Sequence, residues 1–171
     1  MGSRKTRTEG PSYGVAESRV EMTELVMPHE INPLGSVFGG WVMSLMDKAA
    51  AMAAMRHCRA AVSTASVDSI DFLAPMSLGH IVRVAAFLTR TFRSSMEIEV
   101  EVHSEDPHTH ERVKTCTAFI TMVCIDESGR PRPVPPLKLL TEEERRRAAE
   151  ADGRRKRRLA RRGRRPGRDR T

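Results

Sequence analysis

The sequence predicts an α+β fold in which one long helix is enclosed by a curved antiparallel sheet. Three observations carry this. Before residue 140 only one segment, residues 38–57, has the length and composition of a core helix. Four later segments carry strand signals with no second helical period. One of them, Met96-Glu97-Ile98-Glu99-Val100-Glu101-Val102, alternates apolar and acidic residues strictly, the mark of an antiparallel strand with one buried face and one face in water. The order is strand, apolar helix, four long strands, and the most economical packing curls the sheet around the helix.

Taken in order, residues 1–19 are polar and broken by Gly10-Pro11 and Gly14, so they read as a disordered arm. Residues 20–27 form a short strand ended by Pro28, and the loop after it holds the turn formers Asn32-Pro33 and Gly35. The helix that follows is rich in strong helix formers and ends on Arg56 and His57, cations that suit a C-terminal dipole. It is apolar on nearly all sides, which predicts that other structure wraps it. Strands are expected at residues 61–72, 81–92, 96–103 and 112–125, with turns at Ala74-Pro75, Arg93-Ser94-Ser95 and Glu105-Asp106-Pro107-His108. A proline cluster, Pro131 to Pro136, closes a domain of residues 20–140. Thr141-Glu142-Glu143-Glu144 then forms a capping box that opens a charged helix.

Charge is unevenly placed. The 171 residues carry a net +7, yet residues 141–171 hold 14 Lys and Arg against 6 Asp and Glu, which leaves the core near neutral. The basic segment has almost no apolar residues and reads as a tail, helical at its start and then solvated and disordered. The longest apolar stretch is interrupted by Gly39, Gly40, Ser44, Asp47 and Lys48, short of the roughly 20 residues that span a bilayer. No secretory h-region follows the charged start, and three cysteines make no disulfide framework. The expected compartment is the cytoplasm, with no membrane contact.

Asp47 is the residue that asks for a reason. A carboxylate in the middle of a buried apolar helix is costly to desolvate, so either an ion pair with Lys48 or an arginine compensates it, or chemistry uses it. Gly39 and Gly40 open the same helix, where unpaired N–H groups and the positive end of the macrodipole can hold an oxyanion with no side chain between. Asn32 adds an amide that can donate to the same oxygen or orient a water. Taken singly, the glycines fit a tight turn and Asn32 fits a turn cap; together with Asp47 they make oxyanion donors, an amide and a general base, the parts of a hydrolytic site. Gly40 and Asp47 are about 10 Å apart along the helix. A base acting through one water should lie only about 6 Å from the oxyanion. Asp47 is therefore expected to serve a carbonyl bound at the helix start of a neighbouring subunit, in a two-fold dimer.

Other residues carry less. Thr64, beside Ser63 at a strand start, either faces the pleat or supports Asp47. Ser44 shares a helix face with Asp47, but no His sits at a spacing that would make it a nucleophile. His108, His110, Asp106 and Glu111 suggest a metal loop, but the two His stand at i, i+2 in a turn with no third or fourth ligand at recognisable spacing, so no metal is expected. Arg93, Ser94 and Ser95 offer a cation, two hydroxyls and turn amides, which suit a phosphate or pantetheine contact as well as they suit a plain hairpin.

The run Asn32-Pro33-Leu34-Gly35-Ser36-Val37-Phe38-Gly39-Gly40-Trp41-Val42-Met43-Ser44-Leu45-Met46-Asp47 resembles the signature of hot-dog thioesterases of the cytosolic acyl-CoA hydrolase branch, the YciA and brain acyl-CoA hydrolase type. Residues 64–75 and 93–100 agree with it, so the resemblance spans about residues 20–137. It implies the hot-dog fold, a homodimer that assembles to a homohexamer, and fatty acyl-CoA as substrate, with no organic cofactor. It also implies that Asn32 and Asp47 act together from different subunits, with Gly39 and Gly40 as oxyanion donors and CoA phosphates along Arg93 to Ser95. The alternative is an acyl-CoA-binding sensor whose basic tail contacts nucleic acid, but the tail holds no recognisable reading module.

Overall fold

The computed structural model describes residues 12–163 of the chain. Two short elements stand where the arm was expected to be disordered: strand β1 (Tyr13–Gly14) and the single-turn helix α1 (Val15–Ser18). They are ordered because they have partners. The Tyr13 N–H donates to Pro136 O, the Tyr13 ring meets His57 edge-on at 5.7 Å, and Ser18 is buried. The part of the arm before residue 12 lies outside the described residues.

The remaining elements are β2 (Val20–Leu25), a 3-10 turn at Pro28–Glu30, α2 (Gly39–Cys58), β3 (Val62–Phe72), β4 (Ile81–Thr91), β5 (Ser95–Glu105), β6 (Arg112–Cys124), β7 (Leu137–Lys138) and α3 (Glu142–Gly163). Five of the strands make one antiparallel sheet in the order β2-β4-β5-β6-β3, while β1 and β7 pair in parallel beside it. The long strands therefore fall where the alternation placed them. Register sets the core: Met96 sits opposite Met122, Ile98 opposite Ile120 and Val100 opposite Ala118, and all six are buried against α2. From the helix come Val42, Leu45 and Met46 with Ala49, Ala50, Ala53 and Ala54, and the four alanines let it settle closely into the concave face.

α2 is less enclosed than its composition implies. Gly40, Met43, Ser44, Asp47, Lys48 and Met55 form a stripe that the chain itself leaves exposed, and Phe38, Phe72 and Leu73 are exposed beside it. Asp47 is thus not buried within its own chain, because β3 ends the sheet before it curls over that side of the helix.

The outer face of the sheet departs from expectation in the opposite sense. Glu97 and Glu99 were expected in water, yet they are 0% and 8% exposed. The cause is α3, which runs to Gly163 instead of fraying into a solvated tail; residues after 163 lie outside the described residues. The capping box forms, with Thr141 Oγ1 accepting from Glu144 N at 3.1 Å and Glu144 Oε2 accepting from Thr141 N at 3.1 Å. Arg154 reaches Glu97 at 2.8 Å, Arg147 reaches Glu99 at 2.8 Å, and Arg158 pairs with Asp68. Arg154 also lies 3.7 Å from the Phe119 ring centre and Arg147 4.8 Å from that of Phe87. Buried Ala148 and Ala151 let the helix approach, so arginines and alanines, not large apolar residues, fasten it.

Candidate active site

Asp47 stands two turns into α2, and its carboxylate has one partner on the sheet: Thr64 donates from Oγ1 to Asp47 Oδ1 at 2.7 Å. Asp47 forms no ion pair among the described residues, so compensation by Lys48 or an arginine is not what places it there. The Thr64 contact depends on register. Thr64 faces Met122 across β6 on the helix side, and a bulge between Thr64 and Ser66 changes the facing of the residues that follow.

The start of α2 offers the second component. Phe38 is the N-cap, and its carbonyl accepts from Trp41 N at 3.0 Å and Val42 N at 3.4 Å. The Gly39 and Gly40 N–H groups precede these and have no acceptor in the helix. A Cβ at Gly40 would meet nothing within 4 Å, whereas one at Gly39 would lie 3.3 Å from the Phe72 ring. Gly40 therefore leaves open space over the donors, and Gly39 lets Phe72 close one side. Beside them a cleft of about 370 Å3, lined by Gly39, Val42, Phe72, Leu73 and Met76, supplies an apolar wall.

Asn32 takes a local role within the chain. Its Nδ2 donates to Ser36 Oγ at 3.1 Å and Val37 O at 3.3 Å, and its Oδ1 accepts from Leu34 N at 2.8 Å and Ser36 N at 3.4 Å. The amide clamps the loop that delivers Gly39 and Gly40, and it does not meet Asp47 of the same chain. Ser44 lies exposed on the stripe with Asp47.

Arg93, Ser94 and Ser95 make the β4–β5 turn, closed by Phe92 N donating to Ser95 O at 2.7 Å and held to β6 by Cys124 N donating to Ser94 O at 3.0 Å. The sheet separates them from Asp47. Ser95 pairs with Val123 on the outer face, whereas Met96 and Met122, in the next row, face α2 with Thr64. The structure thus brings together Asp47 and Thr64, and separately Asn32 with the glycine helix start, but it does not join all the predicted groups in one chain. Among the described residues no cluster of three or more His, Cys, Asp or Glu could hold a metal.

Comparison with known proteins follows the same residues. Residues 34–110 match the thioesterase superfamily. The uncharacterized acyl-CoA thioester hydrolase YkhA of Bacillus subtilis is 42% identical over 128 residues, covering 75% of this chain and 74% of its own. The chain belongs to the thioesterase superfamily. It is a thioester hydrolase with the hot-dog fold, the long helix and five-stranded antiparallel sheet described above. The cytosolic acyl coenzyme A thioester hydrolase of Mus musculus is 38% identical over 143 residues, 82% of this thioesterase and 37% of that longer protein. Among solved structures, an apo hexameric acyl-CoA thioesterase superposes with a TM-score of 0.86 at 45% identity, over 90% of this chain and 99% of its own. The acyl-CoA hydrolase of Staphylococcus aureus, in complex with butyryl coenzyme A, coenzyme A and coenzyme A disulfide, gives 0.82 at 34% identity, over 89% and 93%. Alanine variants of that hydrolase at an aspartate, a threonine and an asparagine have also been solved, the last with coenzyme A; they are 32–33% identical, with TM-scores of 0.82–0.83, over 88–89% of this chain and 91–94% of their own.

Proposed function

We propose that this thioesterase hydrolyses fatty acyl-CoA to the free fatty acid and CoA, at a site shared between two subunits. The observation that carries the reading is the Asp47 carboxylate, held by Thr64 at 2.7 Å on a helix face the chain leaves open, with unpaired glycine N–H groups at the start of the same helix. Asp47 takes a proton from a water, and the hydroxide attacks the thioester carbonyl carbon. The carbonyl oxygen becomes an oxyanion against the Gly39 and Gly40 N–H groups of a neighbouring subunit. The C–S bond then breaks, and the CoA thiolate takes the proton from Asp47. Asn32 holds the glycine loop in shape, and to reach the acyl oxygen or the water its amide gives up one of the bonds it donates to Ser36 Oγ and Val37 O.

Three features support this assignment. The seven-residue spacing from Gly40 to Asp47, about 10 Å of rise, is too long for one helix to supply both parts. The exposed stripe with Phe38, Phe72 and Leu73 is a surface suited to a second copy, in a homodimer assembling to a homohexamer. In the Staphylococcus aureus hydrolase the substituted asparagine, aspartate and threonine are spaced 15 and 17 residues apart, as Asn32, Asp47 and Thr64 are here. The compartment proposed is the cytoplasm: among the described residues no helix is long and apolar enough to cross a membrane, and the similar mouse hydrolase is cytosolic. A nucleic-acid-linked sensor has less support, because Arg147, Arg154 and Arg158 of the basic segment are engaged with acids of the sheet.

The test is free CoA release from acyl-CoAs of several chain lengths. Asp47→Ala should lower kcat at least about a hundredfold. Thr64→Val, which removes a hydrogen bond to a charged group, should lower it about tenfold. Wild-type turnover by Asp47→Ala would overturn the mechanism.

A further inference from the structure

Thr64 holds Asp47, and a second contact bears on Thr64 from the core side. Among the described residues the Thr64 Oγ1 meets two acceptors, Asp47 Oδ1 at 2.7 Å and Met122 Sδ at 3.4 Å. A hydroxyl has one proton, so it cannot donate to both. The carboxylate is charged and the closer of the two, and a thioether sulfur accepts weakly, so the proton goes to Asp47. Of the two Asp47 oxygens Oδ1 is thereby occupied, and Oδ2 makes no hydrogen bond among the described residues.

Met122 stands directly opposite Thr64 across β3 and β6, and opposite Met96 across β5 and β6. It is fully buried, whereas Thr64 is exposed in the single chain, so Met122 can act on the reaction only through its neighbour. A threonine side chain has few χ1 wells, and the one adopted here points the hydroxyl at α2. Turned out of that well, or met from below by a better acceptor, the hydroxyl would leave Asp47 Oδ1 without its donor. The thioether fills the space beneath with a group too weak to compete.

We propose that Met122 is a positioning residue for the hydrolysis. Its sulfur packs against the Thr64 oxygen, keeps water and stronger acceptors from the core side, and so commits the hydroxyl proton to Asp47 Oδ1. Oδ2 is then the oxygen that takes the proton from the attacking water. The inference rests on the reading above in which Asp47 is the base, and it adds the residue that keeps the base oriented.

The experiment is a double-mutant cycle on the full chain, with kcat and KM read from CoA release and Tm from thermal melts. Met122→Gln puts an amide oxygen where it can accept from Thr64, and Met122→Ala opens a space behind the hydroxyl. Each should lower kcat about threefold or more while KM stays within about twofold. In a Thr64→Val background the same two substitutions should change kcat less than about twofold, because no hydroxyl remains to divert. Met122→Leu keeps the apolar bulk and should recover most of the rate lost in Met122→Ala. Should Met122→Gln fail to fold, the Ala and Leu variants decide alone. Equal fold losses from Met122→Ala in the two backgrounds, or a loss in Met122→Leu as large as in Met122→Ala, would assign Met122 to packing and overturn the proposal. Thr64→Val at wild-type kcat beside an inactive Asp47→Ala would remove both Thr64 and Met122 from the mechanism and leave Asp47 as the base. Wild-type turnover by Asp47→Ala would instead end the hydrolytic reading and this inference together.

Discussion

Thr64 and Asp47 meet only because of the way one strand side chain faces. The sequence marked Asp47 because an acid is conspicuous among Met46 and the alanines of α2. It marked Gly39 and Gly40 because they open that helix. It left Thr64 between two roles, since which face a strand residue presents depends on pairing, and β3 carries register shifts after Thr64 and again after Val67. Periodicity has no view of a bulge. His57 was passed over as a mere helix-end cation, yet it is fully buried and sits 2.9 Å from Pro135 O, bonded through Nε2, with Nδ1 unpartnered among the described residues. Burial holds its pKa below the usual 6.5, against weaker opposite pulls from the Pro135 carbonyl and Glu17. A folded-state value below the unfolded one means stability that is present above about pH 6.5 and lost as pH falls through the folded value. Wild-type Tm should therefore drop between pH 7.5 and pH 5 more steeply than that of His57→Gln. Thermal melts across that window check it, and identical slopes would refute it.

At the scale of elements, the four long strands and α2 were legible because their patterns are local: alternation, helix formers and turn residues. α3 was read short because hydropathy finds little in it to bury. Its docking face is Arg147, Ala148, Ala151, Arg154 and Arg158, and the three arginines recur at i, i+7 and i+11, one side of a helix. The complementary signal lay in the acids of β5, spaced two apart, which alternation alone assigned to water. Charge periodicity matched against charge alternation would have paired them. The pairing has an energetic consequence. Arg154→Ala leaves Glu97 buried and unmatched, which should cost about 3–5 kcal/mol. Arg154→Met combined with Glu97→Gln should recover most of that loss, because both charges go together. Urea denaturation of the single and double variants measures the difference; equal destabilisation by both would show that α3 is fastened by packing instead.

For the whole molecule, the helix rise between Gly40 and Asp47 is the length from which the sequence leads to the proposal of a site shared between subunits. The structure adds the open stripe on α2, which sequence could not show, because an apolar helix looks the same whether its own sheet or a second copy covers it. A mixture of Asp47→Ala and Asn32→Ala chains should regain activity once subunits exchange, through sites that pair an intact Asn32 with an intact Asp47. Coupled measurement of subunit exchange and CoA release decides this, and exchange without recovery would count against a shared site.

The parallel pairing of Tyr13 with Leu137 and Gly14 with Lys138 joins segments that flank the whole sheet. Such a closure gains nothing until everything between is in place, because the loop entropy of the intervening chain must first be lost. It is expected to form in the last step of folding and to open in the first of unfolding. Tyr13→Leu, which removes the edge contact with His57, should accelerate unfolding in stopped-flow chevrons and leave the refolding arm nearly unchanged. A slowed refolding arm would instead place the junction in the nucleus. With the expected result the junction is a latch on the kinetic lifetime of the fold, separate from the sheet and helix that define its shape.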